Sequence, residues 1–298
     1  MTELLPMLNQ RLAQPNSHQE GVVLYVVGIL ASLATLFGDY ASASVHAKGV
    51  SRILQSRGRS EDHVHDLMLV LGLDRLSFAS SLLTDQWTPI LTEATLQQDL
   101  EFDEEIIGLH RAQDMVRYDC VPDSRLALVF YTLQCTAILL DTHDFGAPTV
   151  NGARLHKRMS FVQSELLRLK GLLVDGLSEV LRLGMVAFLT TTFRVPGQYE
   201  HPACARLAKP LLASCTANRD GIAKLPGEMR TWLLLVGLMT ASGFDHLQTR
   251  MAWRDLVPLP PALPWEAVRG EAKKVMWIDA IHDALGERGF DALCLLGS

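Results

Sequence analysis

Three polar residues near the end of the chain, Asp279, His282 and Asp283, have a spacing that could support chemistry. Residues three and four apart lie on one face of an α-helix, so the two carboxylates and the imidazole could hold a metal ion together. A metal site would need a further ligand, which the sequence does not reveal. The pattern therefore favours a hydrogen-bond network on one helix face beside Trp277.

Two other histidine groups are weaker candidates for chemistry. His63 and His65 are two residues apart, so on a helix they point to different faces and cannot bind one ion together. His110 lies between the acidic segment 103–105 and Asp114, a grouping that could hold a general acid and base. A solvated helix start explains the first pair, and an acidic helix face explains the second group equally well.

The familiar catalytic motifs are absent from the sequence. It contains no Gly-x-Ser-x-Gly, His-Glu-x-x-His, Gly-x-Gly-x-x-Gly or Walker motif, which argues against common hydrolases, zinc proteases and nucleotide enzymes. No two cysteines have Cys-x2-Cys spacing, and their odd number suits reduced, buried thiols. We therefore predict no metal and no cofactor. The cysteines are Cys120, Cys135, Cys204, Cys215 and Cys294.

Polar side chains embedded in apolar segments are the best candidates for a ligand pocket. A buried donor or acceptor without a partner costs about 1–3 kcal/mol, so each of these groups must bond inside the protein or to a ligand. Pockets are mostly apolar with a few placed polar groups, and an internal contact is the alternative at every position. The candidates are Tyr25, Asp85, Trp87, Gln134, Thr191 and Arg194.

Apolar residues recur at intervals of three and four, and alternating patterns are nearly absent, so the fold class is predicted as all-α, a single-domain bundle of about ten helices. We assign 1–19 to an N-terminal extension and 20–290 to the domain. A boundary near 142–159 is the second choice. The predicted helices are 20–37, 41–57, 63–83, 102–114, 123–141, 160–171, 174–193, 202–216, 227–243, 246–255 and 265–287.

Composition and charge limit the function classes. Hydrophobic residues make up 48% of the chain and charged residues 20%, which is typical of a globular protein with ample core. A formal net charge of −6 disfavours direct binding to nucleic acid, whose phosphates attract basic proteins. The apolar run 22–37 is shorter than a usual span of about 20 residues, so a buried helix is expected and no membrane span. The first residues lack a secretory pattern, which predicts an intracellular location, nucleus or cytoplasm.

Five segments resemble one known family in the same order. His46-Ala-Lys-Gly-Val-Ser-Arg-Ile-Leu-Gln-Ser-Arg-Gly58 is similar to a helix near the start of the fungal-specific transcription factor domain, second type, with its His, Lys-Gly and Arg-Gly marks. The similarity spans roughly residues 20 to 290. Leu73–Ser80, Leu183–Thr192, Trp232–Leu238 and the pair Trp265–Arg269 with Trp277–Asp283 resemble later helices of that domain.

The resemblance implies an all-α regulatory body. Members of that family usually carry a six-cysteine binuclear zinc cluster that binds DNA, and the present sequence has no such cluster. We therefore expect a regulatory or ligand-sensing protein tied to fungal secondary metabolism, which acts without direct DNA contact, as a homodimer or on a regulator partner. A truncated regulator with little activity of its own is a simpler reading.

The alternative is a biosynthetic enzyme built on the same scaffold. A cyclase or isomerase acting on a hydrophobic metabolite needs chiefly a contoured cavity and one or two hydrogen-bond donors that polarise a carbonyl. Pericyclic chemistry of this type requires no cofactor and leaves no sequence motif. A small hydrophobic ligand or substrate is compatible with both hypotheses.

Overall fold

The computed structural model confirms the prediction of an all-α, multi-helix fold. The described residues form eleven α-helices and a short 3-10 turn at Tyr118–Cys120, with no strand among them. They are residues 10–11, 21–36, 39–57, 78, 82, 115, 118–142, 152–192, 202–240, 247–260 and 263–295.

The helices are numbered in chain order. They are α1 (Gly21–Leu36), α2 (Tyr40–Arg57), α3 (Ser124–Thr142), α4 (Gly152–Arg168), α5 (Gly176–Thr192), α6 (Pro202–Ala217), α7 (Arg219–Ala223), α8 (Gly227–Thr240), α9 (Leu247–Leu256), α10 (Trp265–Val275) and α11 (Asp279–Cys294).

The chain divides into two compact units. One comprises residues 1–98 with 152–156, and the other comprises 99–151 with 157–298. The main division lies at 98/99, and the second unit includes residues on both sides of the segment 142–159, so that second choice also stays a prediction. The assignment of 20–290 to one domain and of 1–19 to an extension stays a prediction.

In the first unit, α1 and α2 pack against each other along one apolar face each. Asp39 precedes α2 and caps its N-terminus, where its carboxylate accepts a hydrogen bond from the backbone N–H of Ser42. Bonding to Ser42 lowers the pKa of Asp39. Seven of the described side chains form the buried part of this interface, and all are at least nine-tenths buried. They are Val23, Leu24, Val27, Ala31, Ala43, Val50 and Ile53.

The opposite face of α1 is apolar but exposed. Val22 is 72% exposed, Tyr25 36% and Ile29 46%. The buried helix predicted for 22–37 is therefore buried on one side only. Apolar residues occupy all sides of α1, and among the described helices α2 packs on one of those sides.

In the second unit, α8 is the central helix. Every residue from Thr231 to Thr240 is buried, and α8 contacts α5, α6, α9, α10 and α11. Two glycines permit close approach: a Cβ at Gly237 would overlap the Trp253 indole, and a Cβ at Gly184 would lie 2.8 Å from a methyl carbon of Leu233. The core therefore depends on the lack of a side chain at these two glycines as well as on large side chains elsewhere.

The prediction of one helix over 265–287 is wrong. The chain forms α10 and α11, separated by Met276, Trp277 and Ile278 in extended conformation, with backbone φ angles of −166° at Met276 and −132° at Ile278. All three side chains are buried. Tertiary packing of these large apolar residues replaces the helical turn, and neither Gly nor Pro marks the break.

Among the described helices, one is long and apolar enough to pass a membrane-span test by composition. This helix is α3, and 61% of its tested window is buried inside the protein, as expected for a core helix. The apolar segment Val22–Ala31 of α1 is shorter.

Candidate functional site

The sequence-predicted pocket residues do not come together as one described site. Gln134 and Thr191 lie in the second unit, whereas Tyr25 lies on the exposed face of α1 in the first. Asp85, Trp87 and Arg194 lie outside the described residues. The same holds for the histidines His63, His65 and His110.

Gln134 is fully buried on α3 and ties this helix to α10. Its side-chain Nε2 donates a hydrogen bond of 2.8 Å to the backbone carbonyl of Val275, the last residue of α10. That carbonyl has no intrahelical donor, because helix ends leave their last carbonyls unpaired. The amide of Gln134 therefore serves as a C-terminal cap supplied from another helix.

Thr191 forms a buried relay with His282. The Nδ1 of His282 accepts the backbone N–H of Ile278 at 3.0 Å, so the neutral ring must carry its proton on Nε2. Nε2 lies 3.0 Å from Oγ1 of Thr191 and donates to it. The Thr191 hydroxyl in turn donates to the carbonyl of Phe188 at 2.6 Å. Every hydrogen-bonding atom of the imidazole thus has a partner.

Aromatic rings enclose this relay. The imidazole of His282 stacks on Phe188 with ring centroids 4.6 Å apart, and it lies 5.0 Å from the ring of Trp277. Phe188 in turn lies 6.2 Å from Trp232 of α8. His282 has no exposed surface, and this burial lowers its pKa to about 3. It is neutral at pH 7, with both nitrogens engaged.

Asp279 and Asp283 face a different set of partners from His282. Asp283 accepts hydrogen bonds from the Trp277 indole N–H at 2.8 Å and from Arg269 at 2.9 Å. Asp279 forms a 2.5 Å ion pair with Arg269. The predicted hydrogen-bond network beside Trp277 is confirmed for these two carboxylates, while the imidazole points into the core.

A second cation and a third carboxylate complete the network. Lys273 lies 2.7 Å from Asp279 and 2.8 Å from Asp141 at the end of α3. The other carboxylate oxygen of Asp141 accepts the backbone N–H of Asp279, the first residue of α11, at 2.7 Å. This contact caps the N-terminus of α11. The positive end of the helix dipole in turn stabilises the negative charge of the Asp141 carboxylate. The network joins α3, α10 and α11.

No group of three histidine, cysteine or acidic residues within the described ranges could hold a metal ion. The described cysteines are free thiols, and three of them are poor nucleophiles because burial keeps them protonated. Burial raises the pKa of Cys120 and Cys135 to about 11 and that of Cys215 to about 12.

Two features of this core escape sequence analysis. The pairing of Thr191 with His282 joins residues far apart in the chain, and no local pattern links them. The other feature is the indole N–H of Trp232, which is fully buried and has no hydrogen-bond partner. A tryptophan in an apolar segment indicates core packing, but it does not tell where its N–H points.

The chain matches no protein-family model, no curated protein and no solved structure at a significant level. Membership of the fungal transcription factor family therefore stays a prediction drawn from the residues.

Proposed function

We propose that this chain is an intracellular regulatory protein of the transcription-factor type that works by binding a partner polypeptide. The observation that carries the proposal is the exposed apolar face of α1, formed by Val22, Tyr25 and Ile29. Their spacings of three and four place them in one stripe along the helix. Exposed apolar patches of this kind mark interaction sites.

The chemistry of α1 indicates the kind of partner. The helix contains no charged residue over its whole length, so its outer face offers neither attraction nor repulsion to charges on a partner. Tyr25 adds an amphipathic aromatic side chain, a type enriched at the energetic centres of protein interfaces. An apolar groove or an amphipathic helix of a regulator fits such a stripe.

Three polar residues that stand out in the sequence, all in the second unit, favour the same proposal. The Gln134 amide donates to Val275, and the Thr191 hydroxyl and the His282 imidazole are bonded to each other and to the backbone. These groups already serve internal contacts. They stabilise the fold rather than await a substrate.

The proposal is tested by complementation with matched variants. In cells lacking this chain, a Val22→Asp/Ile29→Asp variant should fail to restore the wild-type transcript profile. The control, Leu172→Asp/Val174→Asp, adds the same charge at two apolar positions that are 52% and 98% exposed in the second unit. It should restore the profile. Full restoration by the α1 variant would overturn the proposal.

The second candidate function, a shape-directed cyclase or isomerase, is favoured by one observation. Within the described residues, the buried indole N–H of Trp232 has no hydrogen-bond partner, and an unpaired donor in an apolar core could polarise a substrate carbonyl. A hydrophobic carbonyl metabolite that binds there should shift the Trp232 indole N–H resonance, which is assigned through Trp232→Phe. The protein should also convert this metabolite faster than the uncatalysed reaction does. An unchanged resonance and rate would rule out that substrate.

A further inference from the structure

His282 connects three parts of the second unit through one ring. It belongs to α11, its Nδ1 accepts the N–H of Ile278 in the extended connector, and its Nε2 donates to Thr191 of α5. The connector is itself tied down by Gln134, which bonds to Val275 immediately before it. The hydrogen bond from His282 to Thr191 joins α11 to α5, and α11 also contacts α8, α9 and α10.

Among the described residues, the hydrogen bonds and ring contacts of His282 are all made with uncharged groups. Phe188 and Thr191 face it from α5, Trp277 faces it from the connector, and Trp232 of α8 lies behind Phe188.

The acidic groups nearest to His282 in sequence are already engaged. Asp279 and Asp283 of α11 are paired with Arg269 and Lys273 of α10, and Asp141 of α3 joins them through Lys273. Within the described part of the chain, His282 forms no ion pair, so a proton on the ring would find no counter-charge there.

We propose that His282 is an acid-sensitive latch, which holds α11 and the connector 276–278 on α5 while it is neutral and releases them when it takes a proton from solvent. A proton on Nδ1 would point at the N–H of Ile278, so two donors would oppose each other where a hydrogen bond now exists. The charged ring would also be buried without a partner. Both penalties vanish when α11 moves away and water reaches the ring.

The direction of the pH dependence follows from linkage. An unfolded or released histidine binds a proton near its ordinary pKa of 6.5, whereas the buried ring has a pKa of about 3. Between these values the open state binds more protons, so the closed state loses stability as the pH falls below 6.5. The opening equilibrium should increase about tenfold for each pH unit below about 6.5, which amounts to about 30-fold between about pH 7.5 and about pH 5.

The test compares the whole wild-type chain with His282→Gln in urea unfolding at about pH 7.5 and about pH 5. We expect the unfolding equilibrium constant of the wild type to rise about 30-fold more than that of the variant, because other titrating groups are common to both. Amide hydrogen exchange, corrected for its intrinsic pH dependence, should accelerate in α11 relative to α8. Equal pH dependence in the two chains would overturn the latch.

If the variant does not fold, the protonation state of His282 in the wild type tests the latch. The nitrogen resonances of His282 should show a neutral imidazole protonated at Nε2 down to about pH 5 in the folded chain. Titration of this ring near pH 6.5 with α11 still in place would overturn the proposal.

Discussion

The core around His282 and the outer face of α1 are both largely apolar, but they differ in whether the protein itself buries and bonds their side chains. In the core, the imidazole is enclosed by aromatic rings and both its nitrogens are bonded. On α1, Val22 and Ile29 remain exposed although their neighbours Val23 and Val27 are buried. In the first region the imidazole and the Thr191 hydroxyl are bonded within the protein, whereas the second region is apolar beyond what its contact with α2 requires. This contrast is the reason for assigning stability to one and binding to the other.

The difference between the two sides of α1 is tested most strongly by two variants, each of which places one charge on one side of the helix. Val27→Asp buries a carboxylate against α2 and should lower the free energy of unfolding by roughly 3 kcal/mol or more. Val22→Asp should change it by less than about 0.5 kcal/mol, because the site is exposed and lies at a helix N-terminus that favours negative charge. Urea unfolding followed by circular dichroism measures both. Equal losses would show that the outer face is also packed.

Close packing in the second unit is tested by adding one methyl group. Gly237→Ala forces the buried Trp253 indole to move and should lower the free energy of unfolding by about 1–3 kcal/mol. Gly270→Ala is the matched control: nothing lies near its added Cβ, and it should stabilise α10 by about 0.5–1 kcal/mol. Thermal unfolding of the two variants should therefore shift in opposite directions. A stabilising Gly237→Ala would contradict a tightly packed α8–α9 contact.

The hydrogen bond between His282 and Thr191 is tested by substituting two adjacent threonines separately. Thr191→Val keeps the side-chain shape but leaves the Nε2–H of His282 without an acceptor, at a cost of about 1–3 kcal/mol. Thr190→Val removes a hydroxyl that bonds only to the carbonyl of Ala187 in its own helix, so its cost should be at most about 1 kcal/mol. Denaturant titration of both variants checks the difference. Equal costs would mean that His282 does not depend on Thr191.

The helical fold was predictable because apolar spacing is a local property of the sequence. The bounds expected for α2 and α6 lie within a residue of those observed. The break between α10 and α11 was not predictable in this way, because Met276, Trp277 and Ile278 continue the apolar pattern of their neighbours. The extended conformation there depends on burial among helices that are remote in sequence.

The candidate site was predictable only in part, for the same physical reason. Gln134 and Thr191 stand out as polar residues in apolar helices, and both are buried as expected. Their partners, Val275 and His282, lie 141 and 91 residues away, so only the folded chain brings them together. The exposed side of α1 is equally invisible in the sequence, since all sides of that helix are apolar.

The most direct test of the outer face of α1 as a contact surface is photo-crosslinking from a single position in cells that express the chain. A photoreactive amino acid in place of Ile29 should crosslink to a partner polypeptide with a role in transcription. The same group in place of Leu172, an apolar residue of similar exposure in the second unit, should not. Crosslinking from position 29 no stronger than from position 172 would contradict the account.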